Sequence, residues 1–368
     1  MIHIIGSGLL GLSIGYELLR QGLNVKILSS NLDGESSNAA VGMLAPQIEF
    51  KSTEENLFSL MLESKNLWNN FYNQLTKDSG IDCEFQHNGS LAIATNNDDM
   101  EKLKFKARFL SQFGYEIKFL DGRETILLEP NLSSNLKGSV YFKNNDQVNA
   151  QILKKSLIKA FVKNGGKLEE KIKIKKIKLQ KKKIKLLSSE KCFECNTAVL
   201  AAGVWSRELL LESFGISIPM RPLKGVTMEF SHSDKENNFN HNLWFRNIYI
   251  APRLNGNIVV GATEDEVGFK QEINMQDMFY LINNLWPLIP SSEKYEFKNF
   301  KCGLRPTTFD GLPVIGSIDK ITKNLICAFG HYRNGVLLSP LTAKIVSELI
   351  IDNKKNYNSL SPNRFKFS

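Results

Sequence analysis

The 368-residue chain has no apolar run near the ~20 residues that a membrane-spanning helix requires. Its apolar stretches, such as Ile2–Ile5 and Leu337–Pro340, are short, so no membrane contact is expected. Cysteine is scarce. Cys83, Cys192, Cys195, Cys302 and Cys327 are an odd number at scattered spacings, which fits reducing conditions and argues against a disulfide framework. Cys192 and Cys195 form a lone C-x-x-C without a second pair, so no metal site is expected. The start, Met1-Ile2-His3-Ile4-Ile5-Gly6, lacks the basic region, apolar core and cleavage site of a secretory signal, so a cytoplasmic protein is expected. Repeats with a period of about 20 to 50 residues and low-complexity linkers are also missing, so any domains are expected to interleave.

Charge is present in quantity. Lys and Arg total 47 against 38 Asp and Glu, a net +9 that would suit a nucleic-acid partner if the cations formed an organised surface. They do not. The densest cluster, Lys171–Lys185, alternates Lys with Ile and Leu at period two, the pattern of strands with one buried and one solvated face. A solvated hairpin is expected there, and no nucleic-acid partner.

The chain begins strand (Ile2–Ile5), glycine turn, helix (Leu9–Gln21), strand (Asn24–Ser29), which is a βαβ unit. Further helices are expected over Glu54–Lys77, Asn149–Asn164 and Val336–Ile351. Thr197–Gly203 reads as an apolar strand running into a turn. Pro219–Gly261 alternates with turn signals such as Asn255-Gly256, the look of an antiparallel sheet.

Gly6-Ser7-Gly8-Leu9-Leu10-Gly11 is G-x-G-x-x-G between a strand and a helix, the setting in which it binds a dinucleotide. Gly6 makes the tight turn, Gly8 admits a pyrophosphate, Gly11 lets helix and strand pack closely, and the helix N-terminus offers unpaired N–H groups. The carboxylate that usually closes the second strand is replaced by Ser29 and Ser30, which bring hydroxyls without charge.

Four further segments carry a resemblance: SNAAVGMLAP (37–46), TAVLAAGVWS (197–206), CGLRPTTFDGLP (302–313) and GHYRNGVLLSP (330–340). With the glycine turn they resemble, nearly end to end, the glycine oxidase and D-amino-acid oxidase family of FAD-dependent amine oxidases. The resemblance implies an α/β fold with a Rossmann-type FAD-binding domain (1–80, 141–215 and 301–368). An α+β substrate-binding domain with an antiparallel sheet (81–140 and 216–300) would interrupt it. It implies FAD contacts at Gly6, Gly8, Leu9, Leu10, Gly11, Ser29, Ser30, Ser36, Ser37, Val41, Gly42, Met43 and Ile174. The same holds for Ala202, Gly203, Trp205, His331, Tyr332, Arg333, Asn334, Gly335, Val336 and Leu337.

By the same resemblance Arg305 grips a substrate carboxylate with Tyr249, from the strand Asn247–Arg253, beside it, and Arg333 and Met43 also touch substrate. A guanidinium fork suits a carboxylate on physical grounds alone. No side chain beyond the flavin is expected to be catalytic. The implied reaction is oxidation of a small amino acid, above all glycine, to its imine with O2 as acceptor. Related D-amino acids, sarcosine or proline, a carrier as acceptor, or a non-catalytic flavoprotein subunit remain alternatives. A homo-oligomer is also left open. Two departures bear on substrate: Asn247 replaces a histidine and Glu264 an apolar residue. Cys302 lies one place away from where some relatives tether their flavin, so non-covalent FAD is expected.

Overall fold

The computed structural model describes residues 1–51, 54–115, 117–181, 183–231, 239–352 and 357–367. Lys182, within the lysine-rich stretch, lies outside them. A six-stranded sheet runs in the order Val314–Ile318, Thr322–Phe329, Thr197–Leu200, Ile2–Ile5, Val25–Leu28, Lys167–Glu169. Its pairings are parallel except at the Val314–Ile318 edge. Ile4 and Val199 face one core and Ile5 and Leu200 the other, which is why these strands read as unbroken apolar runs rather than alternating ones.

Helices Leu9–Arg20, Ala150–Lys163 and Ser339–Ile351 cover the first face. The lysine-rich hairpin covers the other. Its strands Lys176–Gln180 and Lys183–Leu187 pair with each other, and Lys183–Leu187 pairs in turn with Cys192–Cys195, burying Ile177, Ile184 and Leu186 while Lys176 and Lys178 stay exposed. The expected strand pattern from Lys171 begins only at Lys176.

A second sheet of eight strands is ordered Glu296–Thr308, Met220–Ser231, Asn257–Gly261, Ile248–Pro252, Asn242–Phe245, Ser90–Ala94, Gly138–Phe142, Lys118–Asp121. It is antiparallel apart from one parallel pair, Asn242–Phe245 with Ser90–Ala94. Gly138–Phe142 and Glu296–Thr308 run across the boundaries expected at 141 and 301, because each strand belongs whole to this sheet. Helix Met275–Leu285 packs Leu281 and Leu285 against it.

Helix ends follow local chemistry. Glu55–Ser79 stops at Gly80 in a left-handed conformation, and Asn149 caps Ala150–Lys163 by accepting from the Gln151 and Ile152 amides. One expected start is wrong. The last helix begins at Ser339, not Val336, because Pro340 has no N–H to give the Val336 carbonyl, and the Leu337 carbonyl instead accepts from Ser64 Oγ (2.6 Å) and Trp68 Nε1 (2.9 Å). Among the described residues no helix is long and apolar enough to cross a membrane, and no group of three or more His, Cys, Asp or Glu is placed to hold a metal.

Candidate active site

A cavity of about 580 Å3 runs from the glycine turn to the face of the eight-stranded sheet, within the ~300–1,000 Å3 typical of ligand sites. At one end lie Gly6, Gly8, Leu9 and Leu10. A Cβ on Gly6 would sit 2.4 Å from the Ala201 carbonyl oxygen, and one on Gly11 2.0 Å from the Gly6 carbonyl oxygen. Gly11 therefore does not line the cavity but lets the helix close against the turn that does. The helix carries no acid in its first turn and no side-chain cap from Gly8. Its Leu9 amide donates to Ser37 Oγ at 3.0 Å. The remaining first-turn N–H groups and the helix dipole favour an anion here.

Ser30, Ser36, Ser37, Ile174, Ala202, Gly203 and Trp205 line the same half, and Val41, Gly42, Met43, His331, Tyr332, Arg333, Gly335 and Val336 the middle. Four expected residues do not line it: Gly11, Ser29, Asn334 and Leu337. Ser29 is buried behind Ser7. Its hydroxyl donates to Asn31 Oδ1 at 2.6 Å and meets the Ser7 hydroxyl, so it is spent within the chain. Asn334 and Leu337 are buried in the turn before the last helix, where their backbone holds the loop.

At the far end Arg305 and Tyr249 come together. Arg305 Nη1 donates to the Thr263 carbonyl at 3.1 Å, and its guanidinium lies over Gly225, where a Cβ would approach it to 2.4 Å. Tyr249 pairs with Gly261 across the sheet, and a Cβ there would be 2.7 Å from the ring. Two glycines within strands thus make room for the two polar side chains. Burial raises the Tyr249 phenol above its ordinary value, with the neighbouring Arg305 opposing, so at neutral pH it is a donor.

Arg333 lines the cavity but is already engaged: its Nε lies 2.7 Å from Glu49 Oε2 and its Nη2 donates to the Glu49 carbonyl at 3.1 Å. Burial raises the Glu49 carboxyl, with Arg333 and Lys106 opposing. Lys106, whose ammonium donates to the Ile48 carbonyl, is pushed down to about 8 by burial. Glu49, Lys106, Trp244, Thr263 and Gly225 also line the cavity and went unread. A lone glycine in the Met220–Ser231 strand pattern was a usable signal for Gly225. Nothing local distinguishes Lys106 or Glu49 from surface charges.

The sequence profile of the DAO family, described as FAD dependent oxidoreductase, matches residues 1–349. The chain belongs to this family. The oxidoreductase is 30% identical over 364 residues to the glycine oxidase of Geobacillus kaustophilus (strain HTA426), covering 98% of this chain and 95% of that one. It is 29% identical over 358 residues to the bifunctional protein ThiO/ThiG of Trichormus variabilis, covering 96% of this chain but 53% of that one, so it spans about half that relative's length. Its structure is similar to the crystal structure of glycine oxidase from Geobacillus kaustophilus, with a TM-score of 0.91 at 28% identity, covering 99% and 98% of the two chains.

The cofactor of this FAD-dependent oxidoreductase fits the cavity on three observations. The glycine turn leaves no room for side chains, the helix N-terminus offers free donors, and the cavity extends onward to a cationic end at Arg305. Cys302 does not line the cavity. It packs half-buried against the core behind the eight-stranded sheet, and burial raises its thiol.

Proposed function

We propose that this oxidoreductase oxidises a small amino acid, glycine foremost, to its imine, with O2 reduced to H2O2. The imine is then hydrolysed to glyoxylate and ammonia or passed on in thiamine biosynthesis. The observation that carries this reading is the pairing of Arg305 and Tyr249 over Gly225 and Gly261, at the end of a cavity that begins at a dinucleotide turn. Glycine oxidases among the relatives support the substrate class.

Bound FAD would supply the two-electron acceptor for the hydride at the substrate's Cα, with O2 as the terminal oxidant. The chain positions the reactant. Arg305 takes the carboxylate through its fork, Tyr249 donates a further hydrogen bond, and the Thr263 carbonyl fixes the fork's orientation. Proton loss from the ammonium on binding leaves no need for a side-chain base. Residues 6–10, 30, 36–37, 41–43, 174, 202–205, 331–333 and 335–336 would hold FAD non-covalently, with Gly11, Asn334 and Leu337 supporting from behind. We assign the six-stranded sheet to the cofactor and the eight-stranded sheet to the substrate, and place the enzyme in the cytoplasm.

A visible spectrum of the purified protein followed by anaerobic glycine tests the proposal. Flavin bands that bleach with glycine support it. Flavin bands that resist glycine but fade with sarcosine, D-alanine or D-proline move the substrate and keep the site.

A further inference from the structure

We infer that Glu264, held in place by Tyr332, determines substrate choice at the rim of the cavity: it excludes amino acids bearing a second carboxylate and favours those extended by a cation or hydrogen-bond donor. This deepens the amino-acid reading above and rests on it.

Glu264 both lines the cavity and is exposed, which places it at the rim. Its backbone has little freedom, because both neighbours are pinned to the strand Met220–Ser231. Thr263 exchanges bonds with Val226, its amide to the Val226 carbonyl at 3.2 Å and its Oγ1 accepting the Val226 amide at 3.0 Å. Asp265 and Lys224 exchange backbone bonds of 3.0 and 2.9 Å. Its side chain is fixed too: the Tyr332 hydroxyl donates to Glu264 Oε1, joining the two walls of the cavity.

Tyr332 is held for this. It has φ +49°, a left-handed conformation uncommon for a bulky residue, and its amide donates to the Pro306 carbonyl at 2.9 Å. Strain of this kind persists where the surroundings impose it, and it clusters at ligand sites.

The charges around the pair decide its effect. Arg305 bonds the carbonyl of Thr263, one residue from Glu264, so a substrate anchored by its carboxylate on Arg305 lies close to this second, negative group. Of the other cations lining the cavity, Arg333 is committed to Glu49, Lys106 to the Ile48 carbonyl and Lys51 to Glu54, while Arg246 lies over the Phe245 ring and Lys173 stands beside Ile174 in the cofactor half. Among the described residues Glu264 has no cation within ion-pair distance; its partner is a neutral hydroxyl. A carboxylate added to the substrate's far end meets a negative charge that no ion pair neutralises, and an ammonium there meets its complement. At roughly 6 Å and an effective dielectric of about 20, either effect amounts to on the order of a hundredfold, less where water enters.

The test compares iminodiacetate with N-(2-aminoethyl)glycine, which carries an ammonium in place of the second carboxylate, against glycine as reference. Ratios of kcat/KM are taken within each FAD-loaded enzyme, so general losses of folding or flavin cancel. Where turnover of either extended amine is slow, the ratio is read from their inhibition constants against glycine. The wild type is expected to favour the cationic substrate at least tenfold. E264Q narrows that preference at least tenfold, and Y332F, which frees Glu264 without removing it, narrows it by a few-fold. An E264Q enzyme whose ratio stays within twofold of wild type overturns the proposal. A wild-type flavoprotein that neither oxidises nor binds any of the three overturns the amino-acid reading itself, and this inference with it.

Discussion

Gly225→Ala isolates the carboxylate anchor without touching it. The new Cβ would lie 2.4 to 2.5 Å from three guanidinium atoms of Arg305, where ordinary contact begins at 3.4 Å, so the guanidinium must move by about 1 Å. Gly225 has no positive φ, and the crowded atoms end a flexible side chain, so the backbone accepts alanine and stability should change by less than ~1 kcal/mol. The bond from Arg305 to the Thr263 carbonyl is the one at risk. A misplacement of about 1 Å in a positioning group costs on the order of a hundredfold. We expect kcat/KM for glycine to fall tenfold to a hundredfold, chiefly through KM, with flavin content and melting temperature near wild type. The assay is oxygen consumption against glycine concentration, with glycolate titrated against the flavin spectrum as a check on carboxylate binding. In an Arg305→Ala background the same change should cost almost nothing, since both act through one group. An undiminished kcat/KM in Gly225→Ala, or a full tenfold loss persisting without Arg305, would refute the assignment.

Gly11→Ala places a Cβ 2.0 Å from the Gly6 carbonyl oxygen, which is backbone and cannot step aside, so flavin absorbance per protein should fall at least tenfold. Folding stability should drop below neutral pH. Burial pushes His331 down to about 3 and His3 down to about 4, while in the unfolded chain both take protons near 6.5. Between these values the unfolded state binds more protons, so stability falls as pH falls from 6.5 toward 4, by about 1.4 kcal/mol per pH unit per histidine. Urea unfolding at pH 7, 5.5 and 4.5 measures the slope, which His331→Gln should roughly halve. The Lys224–Asp277 pair, 2.8 Å apart with both side chains 3% exposed, also predicts an asymmetry. Lys224→Met alone should cost ~3–5 kcal/mol by stranding a carboxylate, and adding Asp277→Asn should recover much of it.

What was legible in the sequence was whatever leaves a local trace. The turn Gly6–Gly11 shows because a Cβ at Gly6 or Gly11 meets backbone, and the parallel strands show because both their faces are covered. The helix over residues 336–338 was misread because its pattern is apolar and helix-compatible. What denies it is partly local, the N–H that Pro340 lacks, and partly a tertiary demand: the Leu337 carbonyl is claimed by Ser64 and Trp68, some 270 residues away in the chain. Glu49 and Lys106 were invisible for the same reason. Each is an ordinary charge on its own segment and becomes part of the cavity only when helix Asn97–Ser111 is brought against residues 46–51.

Ser29 marks the limit from the other side. The fingerprint position was found, and a hydroxyl there was expected to face the cofactor in place of the missing acid. It turns instead to Asn31 and Ser7, while Asn31 Nδ2 donates to Glu170 at 3.2 Å. The acid's position is thus closed by the chain's own hydrogen bonds, and of the two serines it is Ser30 that lines the cavity. Binding at this end then depends on the helix N-terminus and the shape set by Ile172–Ile174 rather than on a charged clamp. Ser29→Ala, which removes two internal bonds, should accordingly lower stability by ~1–3 kcal/mol and leave the dissociation constant for FAD within threefold of wild type. A tenfold loss of FAD affinity at unchanged stability would show that Ser29 reaches the cofactor after all.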